Sequence, residues 1–366
     1  MVKVSDFLKC LKDHKINYIC GVPDSVLSPL ISYLNKKNKH FTHRVTVNEG
    51  GAIGLASGYF LAKKKIPLIY FQNSGLGNAL NPLTSLADET VYSFPMIMLI
   101  GHRGAPSIPD EPQHNKMGPE LFKILKAAKY KYFKINKKNY KNYISKALKF
   151  AKKKSCPVAI VVDNTFFEKN KNKEKKINKK NFKRYECIKH IVKNKLFSKH
   201  LFIASTGNVG RELYSINKTQ KKHNQSFYNI GAMGHANQIG LEIALSSKKN
   251  VVIFDGDGAV QMHMGNLILI GKFKKRILHI IFSNKLHEST GNHALASDNV
   301  DYASILKGCK YDQIKVINNF NGFKKALSRP IEKLTALVVN VDPGTINNLP
   351  RPKETPKQLK KIFKVN

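Results

Sequence analysis

The chain is short of acid. Against 63 Lys and Arg it carries 24 Asp and Glu, which leaves a formal charge of +39 over 366 residues. An excess of that size raises nucleic acid as a partner. The surplus is mostly Lys, spread among Asn and Ile in runs such as Lys63-Lys64-Lys65 and Lys152-Lys153-Lys154. Such runs read as solvated faces, and charge speaks to non-specific attraction rather than to fold. An aromatic RNA-binding pattern, a zinc finger and a basic heptad are all lacking, so no nucleic-acid partner is expected. The charge suits a polyanionic substrate instead.

Cysteine is also scarce. Cys10, Cys20, Cys156, Cys187 and Cys309 are scattered, odd in number and without a CxxC pair. That excludes a disulfide framework and a thiolate zinc site, and it fits reduced thiols in the cytoplasm. No apolar run approaches the ~20 residues that cross a bilayer, so no membrane association is expected. Lys3, Asp6, Lys9, Lys12 and Asp13 interrupt the N-terminus, which is not a signal peptide.

What is present centres on residues 251–284. An apolar strand, Val251-Val252-Ile253-Phe254, runs into Asp255-Gly256-Asp257-Gly258. A helical pattern over 259–272 follows, and a second apolar strand over 277–282 delivers Ser283-Asn284. Asp257 and Asn284 thus stand at the C-terminal ends of two strands, where open parallel sheets bind ligands. Carboxylate and amide oxygens are hard ligands, suited to Mg²⁺ shared with phosphates. Gly256 and Gly258 let the backbone approach a diphosphate at a helix N-terminus. A plain strand-to-helix turn explains Gly-Asp-Gly alone; the second strand ending in Asn favours a metal–diphosphate site.

The N-terminal half alternates strands with helices, which predicts a parallel sheet covered on both sides. An amphipathic helix over 6–14 and a strand over 18–22 lead to Pro23-Asp24-Ser25, where Asp24 or Ser25 suits a helix N-cap. A strand over 42–47 ends at Asn48-Glu49-Gly50-Gly51. Glu49 reads either as a first-turn acid on a helix dipole or as a buried carboxyl of raised pKa able to share a proton. The strand over 67–71 ends in a polar, glycine-rich stretch, residues 72–82, expected to be a ligand-facing loop. The strand over 95–100 ends near Arg103, ahead of a proline-bearing loop with Glu111-Pro112-Gln113-His114. In the second half, a strand over 201–204 ends in Ser205-Thr206-Gly207, a corner able to reach a diphosphate or simply to cap a helix.

Length favours two domains. The boundaries read as 1–167, a Lys/Asn-rich solvated linker over 168–185, a second domain over 186–349 and a loose basic tail over 350–366.

Gly256-Asp257-Gly258 followed by Asn284 resembles the signature of thiamine diphosphate (ThDP) enzymes. Gly21-Val22-Pro23-Asp24-Ser25, Asn48-Glu49-Gly50-Gly51-Ala52, Gln72-Asn73-Ser74-Gly75-Leu76-Gly77-Asn78, Asp110-Glu111-Pro112-Gln113-His114, Gly234-His235-Ala236 and Met262-His263-Met264-Gly265-Asn266 narrow the likeness. Together they resemble the phosphonopyruvate decarboxylase family, with sulfopyruvate decarboxylases as close cousins. The resemblance implies an α/β fold of two doubly wound parallel-sheet domains, the first pyrimidine-binding and the second diphosphate-binding. It implies ThDP and Mg²⁺ as cofactors, with Asp257, Asn284 and the Leu286 carbonyl on the metal.

It further implies Glu49 as the activator of the aminopyrimidine, Met233 beneath the bent cofactor, and Asp24 and His114 as acid/base groups. Asn73, Gly75, Thr206, Gly207, Gly256 and Gly258 complete the implied cofactor contacts. The implied reaction is decarboxylation of a 2-oxo acid, for phosphonopyruvate to phosphonoacetaldehyde in phosphonate biosynthesis, by a homodimer or larger homo-oligomer. Arg103, Lys116, Lys285 and His287, in that order, are candidates to hold the phosphonate. The chain departs from the family at Ala232, Ser283 and Asn292-His293-Ala294-Leu295. That last loop leaves sulfopyruvate, or another 2-oxo acid decarboxylation or carboligation, as the alternative.

Overall fold

The computed structural model describes residues 1–36, 40–106, 108–168 and 182–365. Most of the expected linker, residues 169–181, lies outside them. The chain divides into two compact units, Met1–Glu174 with Thr290–Ala296, and Lys175–Ser289 with Ser297–Asn366.

The first unit is built on β1 (Tyr18–Gly21), β2 (Thr42–Val45), β3 (Leu68–Gln72), β4 (Met96–Gly101), β5 (Tyr132–Lys134) and β6 (Pro157–Val162). They form one parallel sheet in the order β2-β1-β3-β4-β6-β5. The central strands read as continuous apolar runs because both faces are covered. Leu68 and Tyr70 of β3 enter one core and Ile69 and Phe71 the other. From β1 the chain goes first to one side and then to the other, so the sheet's switch point lies between β1 and β3. Ligands of such sheets bind in the crevice at the carboxyl ends of the strands there.

The second unit repeats the plan with β7 (Leu201–Ala204), β8 (Ser226–Tyr228), β9 (Val251–Gly256), β10 (Ile277–Ser283), β11 (Gln313–Ile317) and β12 (Thr335–Asn340). All pairs are parallel, in the order β11-β12-β10-β9-β7-β8. Its switch point falls between β7 and β9, at Thr206 and Asp257. The expected α/β class with two doubly wound parallel sheets is what the structure has.

Four local expectations differ. The loop expected over 72–82 is helical: a short 3-10 turn, Asn73–Gly75, continues into the helix Leu76–Pro82. Its polar residues mask a buried stripe of Leu76, Ala79 and Leu83. The helix expected over 259–272 is two helices, Asp257–Met262 and Asn266–Phe273. The chain leaves the helical path at His263 (φ −134°, ψ 53°), whose ring packs on Gly234. The expected loose tail contains the helix Pro356–Ile362, started by a capping box between Thr355 and Gln358 and anchored by buried Leu359.

The end of the expected linker is likewise structured. Phe182 is buried, and Arg184 opens the helix Arg184–Lys193 with its side chain inside the unit.

Arg184 holds two buried acids. Its Nε and Nη2 donate to Glu212 at 2.7 and 3.0 Å, and Nη1 lies 2.9 Å from Glu288 Oε2. Removing one partner of a buried ion network strands the other charges, which costs about 3–5 kcal/mol. Arg184→Met is therefore expected to lower the unfolding free energy by about that much, read from urea melts.

Candidate active site

Glu49, Asp24, Asn73 and Arg103 sit just past strand ends, whereas His114 lies further on, in the short 3-10 turn Pro112–His114. Glu49 follows β2 as the first residue of the helix Glu49–Lys63, which Asn48 caps by accepting the Gly51 N–H at 2.7 Å. Its carboxyl is buried, and Asn78 Nδ2 donates to Oε2 at 2.8 Å. Burial raises its pKa above the usual carboxylate range, with the Asn78 bond opposing.

The carboxyl lies flat on Gly75. A Cβ there would stand 2.2 Å from Oε1 and 2.5 Å from Cδ of Glu49. Since the atoms struck all belong to one side chain, Gly75→Ala should displace the carboxyl and spare the backbone. Turnover is expected to fall about a hundredfold, the scale of a misplaced catalytic group. Unfolding free energy should drop by no more than about 1–2 kcal/mol. Parallel kinetics and melts separate the two.

Asp24 follows β1 and is fully buried. Its Oδ2 accepts the backbone N–H groups of Val26 and Leu27 at 3.1 and 3.2 Å, which shapes the turn ahead of the helix Ser28–Leu34. That helix has Leu27 as its N-cap and no side-chain cap bond, so neither Asp24 nor Ser25 caps it as the sequence suggests. Its Oδ1 has no hydrogen-bond partner among the described residues. Burial pushes its pKa up to about 6, against the pull of the Arg103 cation and the backbone bonds. Gly101 makes room: a Cβ there would stand 2.1 Å from Asp24 Oδ2.

His114 is also buried, and its Nδ1 is unpartnered among the described residues. Burial, then the nearby Arg103 charge, lowers its pKa, so it is a neutral imidazole at pH 7. Asp24 Oδ1 and His114 Nδ1 are two of eight buried side-chain polar atoms without a hydrogen-bond partner among the described residues, the others lying on His102, Tyr130, His200, Ser205, Asn217 and Asp255. Asp24 and His114 both feel the Arg103 charge.

Asn73 behaves differently from expectation. Its Nδ2 donates to the carbonyls of Arg103 and Met117, and its Oδ1 accepts the Arg103 N–H at 3.0 Å. The side chain is fully buried and ties two loops together rather than facing a ligand.

The phosphonate candidates fare unequally. Arg103 is engaged by Asp110 and Ser25. Lys116 is exposed and 3.7 Å from Glu120. Lys285 is exposed at φ 65°, and His287 is half-buried.

In the second unit the geometry is tight. Asp257 Oδ2 accepts the N–H groups of Asn284 and Lys285 at 2.9 and 2.7 Å, and Oδ1 accepts that of Gly258 at 2.8 Å. Adjacent strands β9 and β10 pair in register from Val251↔Ile277 to Gly256↔Phe282, which sets this distance. Asn284 Oδ1 accepts the Leu286 N–H at 3.0 Å, and the Asp257 and Asn284 side chains are buried. Burial raises the Asp257 pKa, while the three N–H bonds favour the carboxylate.

Thr206 donates to the Ile230 carbonyl at 2.8 Å, and Gly207 stands at φ 86° ahead of the helix Asn208–Gln220. Half-buried Met233 follows Ala232 (φ 46°) and precedes Gly234 (φ 86°) in a strained turn. Glu288, held by Arg184, closes the loop that begins at Asn284 and braces it against the Asn208–Gln220 helix.

The donor set fits Mg²⁺ and a diphosphate. One carboxylate, one amide oxygen and a main-chain carbonyl are all hard oxygen donors. Gly256 has no atom within 4 Å of where a Cβ would be, so the cradle is open. Among the described residues no group of three or more His, Cys, Asp or Glu competes as a metal site. A cleft of about 450 Å³ lined by Lys199, Lys248, Lys249 and Lys364 lies at the opposite end of β7 and β9, and no candidate residue lines it.

The sequence reading missed Asn78, which stands one helical turn beyond Gly75, a spacing that points at Glu49 only once residues 76–82 are known to be helical. It also missed Arg184, for which no sequence signal exists inside a lysine-rich stretch.

Two family models match the chain: the N-terminal TPP binding domain of thiamine pyrophosphate enzymes over residues 3–124, and their C-terminal TPP binding domain over 205–341. The chain belongs to the thiamine pyrophosphate enzymes. It is similar to the phosphonopyruvate decarboxylase of Streptomyces viridochromogenes, 28% identical over 100% of this chain and 94% of the relative. It is similar to the sulfopyruvate decarboxylase of Methanosarcina acetivorans, 25% identical over 93% of this chain and 91% of the relative. The sulfopyruvate decarboxylase beta subunit of Methanocaldococcus jannaschii is 34% identical over 44% of this chain and 85% of its own. Among the described residues no helix of this thiamine pyrophosphate enzyme is long and apolar enough to cross a membrane.

Proposed function

We propose that this thiamine diphosphate-dependent decarboxylase acts on 3-phosphonopyruvate, releasing CO₂ and phosphonoacetaldehyde, with Mg²⁺ holding the cofactor's diphosphate. The observation that carries the reading is the set of buried protonatable groups, Glu49, Asp24 and His114, at one sheet edge of a chain whose other sheet edge offers the Asp257–Asn284 donors. When bound, ThDP supplies the electron sink for loss of CO₂. Asp257, Asn284 and the Leu286 carbonyl would hold the metal, and Thr206 and Gly207 would take the diphosphate. Glu49 holds a proton at its buried carboxyl for the cofactor's pyrimidine nitrogen. Asp24 Oδ1 and His114 Nδ1 are free to move protons at the substrate's reacting carbon and oxygen.

Initial rates with phosphonopyruvate, sulfopyruvate and pyruvate test the substrate. We expect kcat/KM for phosphonopyruvate to exceed that for pyruvate, which lacks the anionic tail, at least about tenfold, the discrimination a site gains by pairing one anionic group. It should also exceed that for sulfopyruvate, whose sulfonate carries one charge fewer and no proton to donate. A preference for sulfopyruvate assigns the chain to the cousin activity. That second reading has its own support in residues 292–295, where His293 donates or accepts at Ser28 Oγ, 3.0 Å away, in place of the family's usual loop.

The proposal includes a homo-oligomer. The helix Glu49–Lys63 leaves Leu55 and Leu61 exposed (43% and 57%), an apolar face suited to a second copy. A native mass equal to one chain would remove this part.

A further inference from the structure

Arg103 is the first choice for an anion clamp on chemical grounds, and its surroundings speak against that role. Its Nε donates to Asp110 Oδ2 at 2.7 Å, and Nη2 donates to Asp110 Oδ1. That is the bidentate edge which matches carboxylate or phosphonate oxygens. It is already taken by an acid of the same chain. Asp110 in turn has no spare acceptor capacity: Oδ2 also accepts the Gly104 N–H at 2.7 Å, and Oδ1 that of Glu111 at 2.8 Å. Burial by itself would raise the Asp110 pKa; the Arg103 bonds and the two amides outweigh it and hold it well below the usual range. A phosphonate on this edge would have to expel a carboxylate held by four N–H donors.

The other end of Arg103 points to a different job. Nη1 donates to Ser25 Oγ at 2.7 Å. Ser25 adjoins Asp24, whose carboxyl rests on Gly101, two residues before Arg103 in the chain. The loop is locked around this arrangement. A Cβ on Gly104 (φ 66°) would stand 2.3 Å from the His114 carbonyl oxygen, and one on Gly118 would stand 1.6 Å from that of Gly104. The guanidinium is therefore held between Asp110 and Ser25, close enough for its charge to act on Asp24 and His114. Asp24 is faced by Arg103, which pulls its pKa down; Arg103 is faced by Asp110, Asp24 and Glu111.

We propose that Arg103 and Asp110 form a positioning pair that holds the Asp24 loop through Ser25 and keeps a cation near the Asp24 carboxyl, and that Arg103 does not bind the anionic tail of the substrate. The kinetic arm of this inference rests on the decarboxylase reading. The anion-binding group must then come from elsewhere, and the pair serves any 2-oxo acid alike.

The test compares wild type with Arg103→Gln, Arg103→Lys and Asp110→Asn. The protonated carboxyl band of Asp24 is followed by infrared difference spectroscopy across pH and assigned by its loss in Asp24→Asn. An opposite charge close to an Asp lowers its pKa by about 1–3 units, so Arg103→Gln should move the midpoint up by at least about one unit. Arg103→Lys, which keeps the charge, should stay within about half a unit of wild type. Asp110→Asn should lower kcat about tenfold, as loosened positioning does, with KM for phosphonopyruvate and for pyruvate each within about threefold.

An unmoved Asp24 midpoint in Arg103→Gln overturns the pair. So does a tenfold or larger rise in KM confined to phosphonopyruvate, which would make Arg103 the clamp after all. If Arg103→Gln fails to fold, Asp110→Asn supplies the same infrared readout, and a midpoint within about 0.2 unit of wild type overturns the proposal. If wild type turns over no 2-oxo acid, the functional reading fails while the infrared midpoints still decide the pair.

Discussion

Glu49→Gln should lower turnover about a thousandfold, or about 4 kcal/mol of transition-state stabilisation, while leaving the fold and cofactor affinity in place. The reasoning starts from shape. Gln has the outline of Glu, so it still fits over Gly75, where a Cβ would stand 2.2 Å from Glu49 Oε1. Its amide oxygen still accepts the Asn78 N–H, as Glu49 Oε2 does at 2.8 Å. What is lost is the titratable proton. Burial holds the Glu49 pKa above the ordinary carboxylate range, so the group exchanges a proton nearer to neutral pH than an exposed Glu would. An amide exchanges none. Calorimetric titration with ThDP and Mg²⁺ beside steady-state kinetics checks both halves. Turnover within tenfold of wild type would contradict the role; lost cofactor affinity with intact folding would recast Glu49 as a residue that binds the cofactor rather than one that exchanges its proton.

How much of this was legible beforehand follows from where each interaction is decided. The strands β3, β4, β6, β9 and β10 were legible because a parallel strand buried on both faces must be apolar along its length. Asp257 and Asn284 were legible because each ends such a strand, and neighbouring parallel strands bring their ends together. Glu49 was ambiguous by itself, since a first-turn acid and a buried carboxyl look alike in sequence; the fold makes it both, the first residue of its helix and a buried carboxyl packed on Gly75 and bonded to Asn78.

The helix Leu76–Pro82 was hidden because its exposed side is Gly and Asn, and only Leu76 and Ala79 register the buried stripe. The Arg103 partnership was out of reach for a different reason. An Arg seven residues before an Asp is an unremarkable spacing, and only the folded loop shows that the fork is filled from within. Arg184 is the extreme case. A residue at the edge of a lysine-rich stretch reads as solvated, yet it is nearly inaccessible and pairs with Glu212, 28 positions on.

Asp257→Asn is expected to weaken ThDP binding in the presence of Mg²⁺ at least about a hundredfold, or about 3 kcal/mol. Two losses combine. The carboxylate accepts three backbone N–H groups, two on Oδ2 and one on Oδ1. An amide in the same place must turn its NH₂ towards at least one of those donors, leaving a buried N–H unpaired at about 1–3 kcal/mol. The Asn284–Leu286 segment, held by two of the bonds, then loses its fixed position. The substitution also removes the one negative charge of the donor set, and Mg²⁺ demands both charge and near-ideal geometry. Wild type stripped by a chelator should lose ThDP affinity to a similar degree, and the variant should respond little to chelation. Circular dichroism and thermal melts exclude a folding defect. An affinity that matches wild type, or one that stays metal-dependent in the variant to the wild-type extent, would remove Asp257 from the metal.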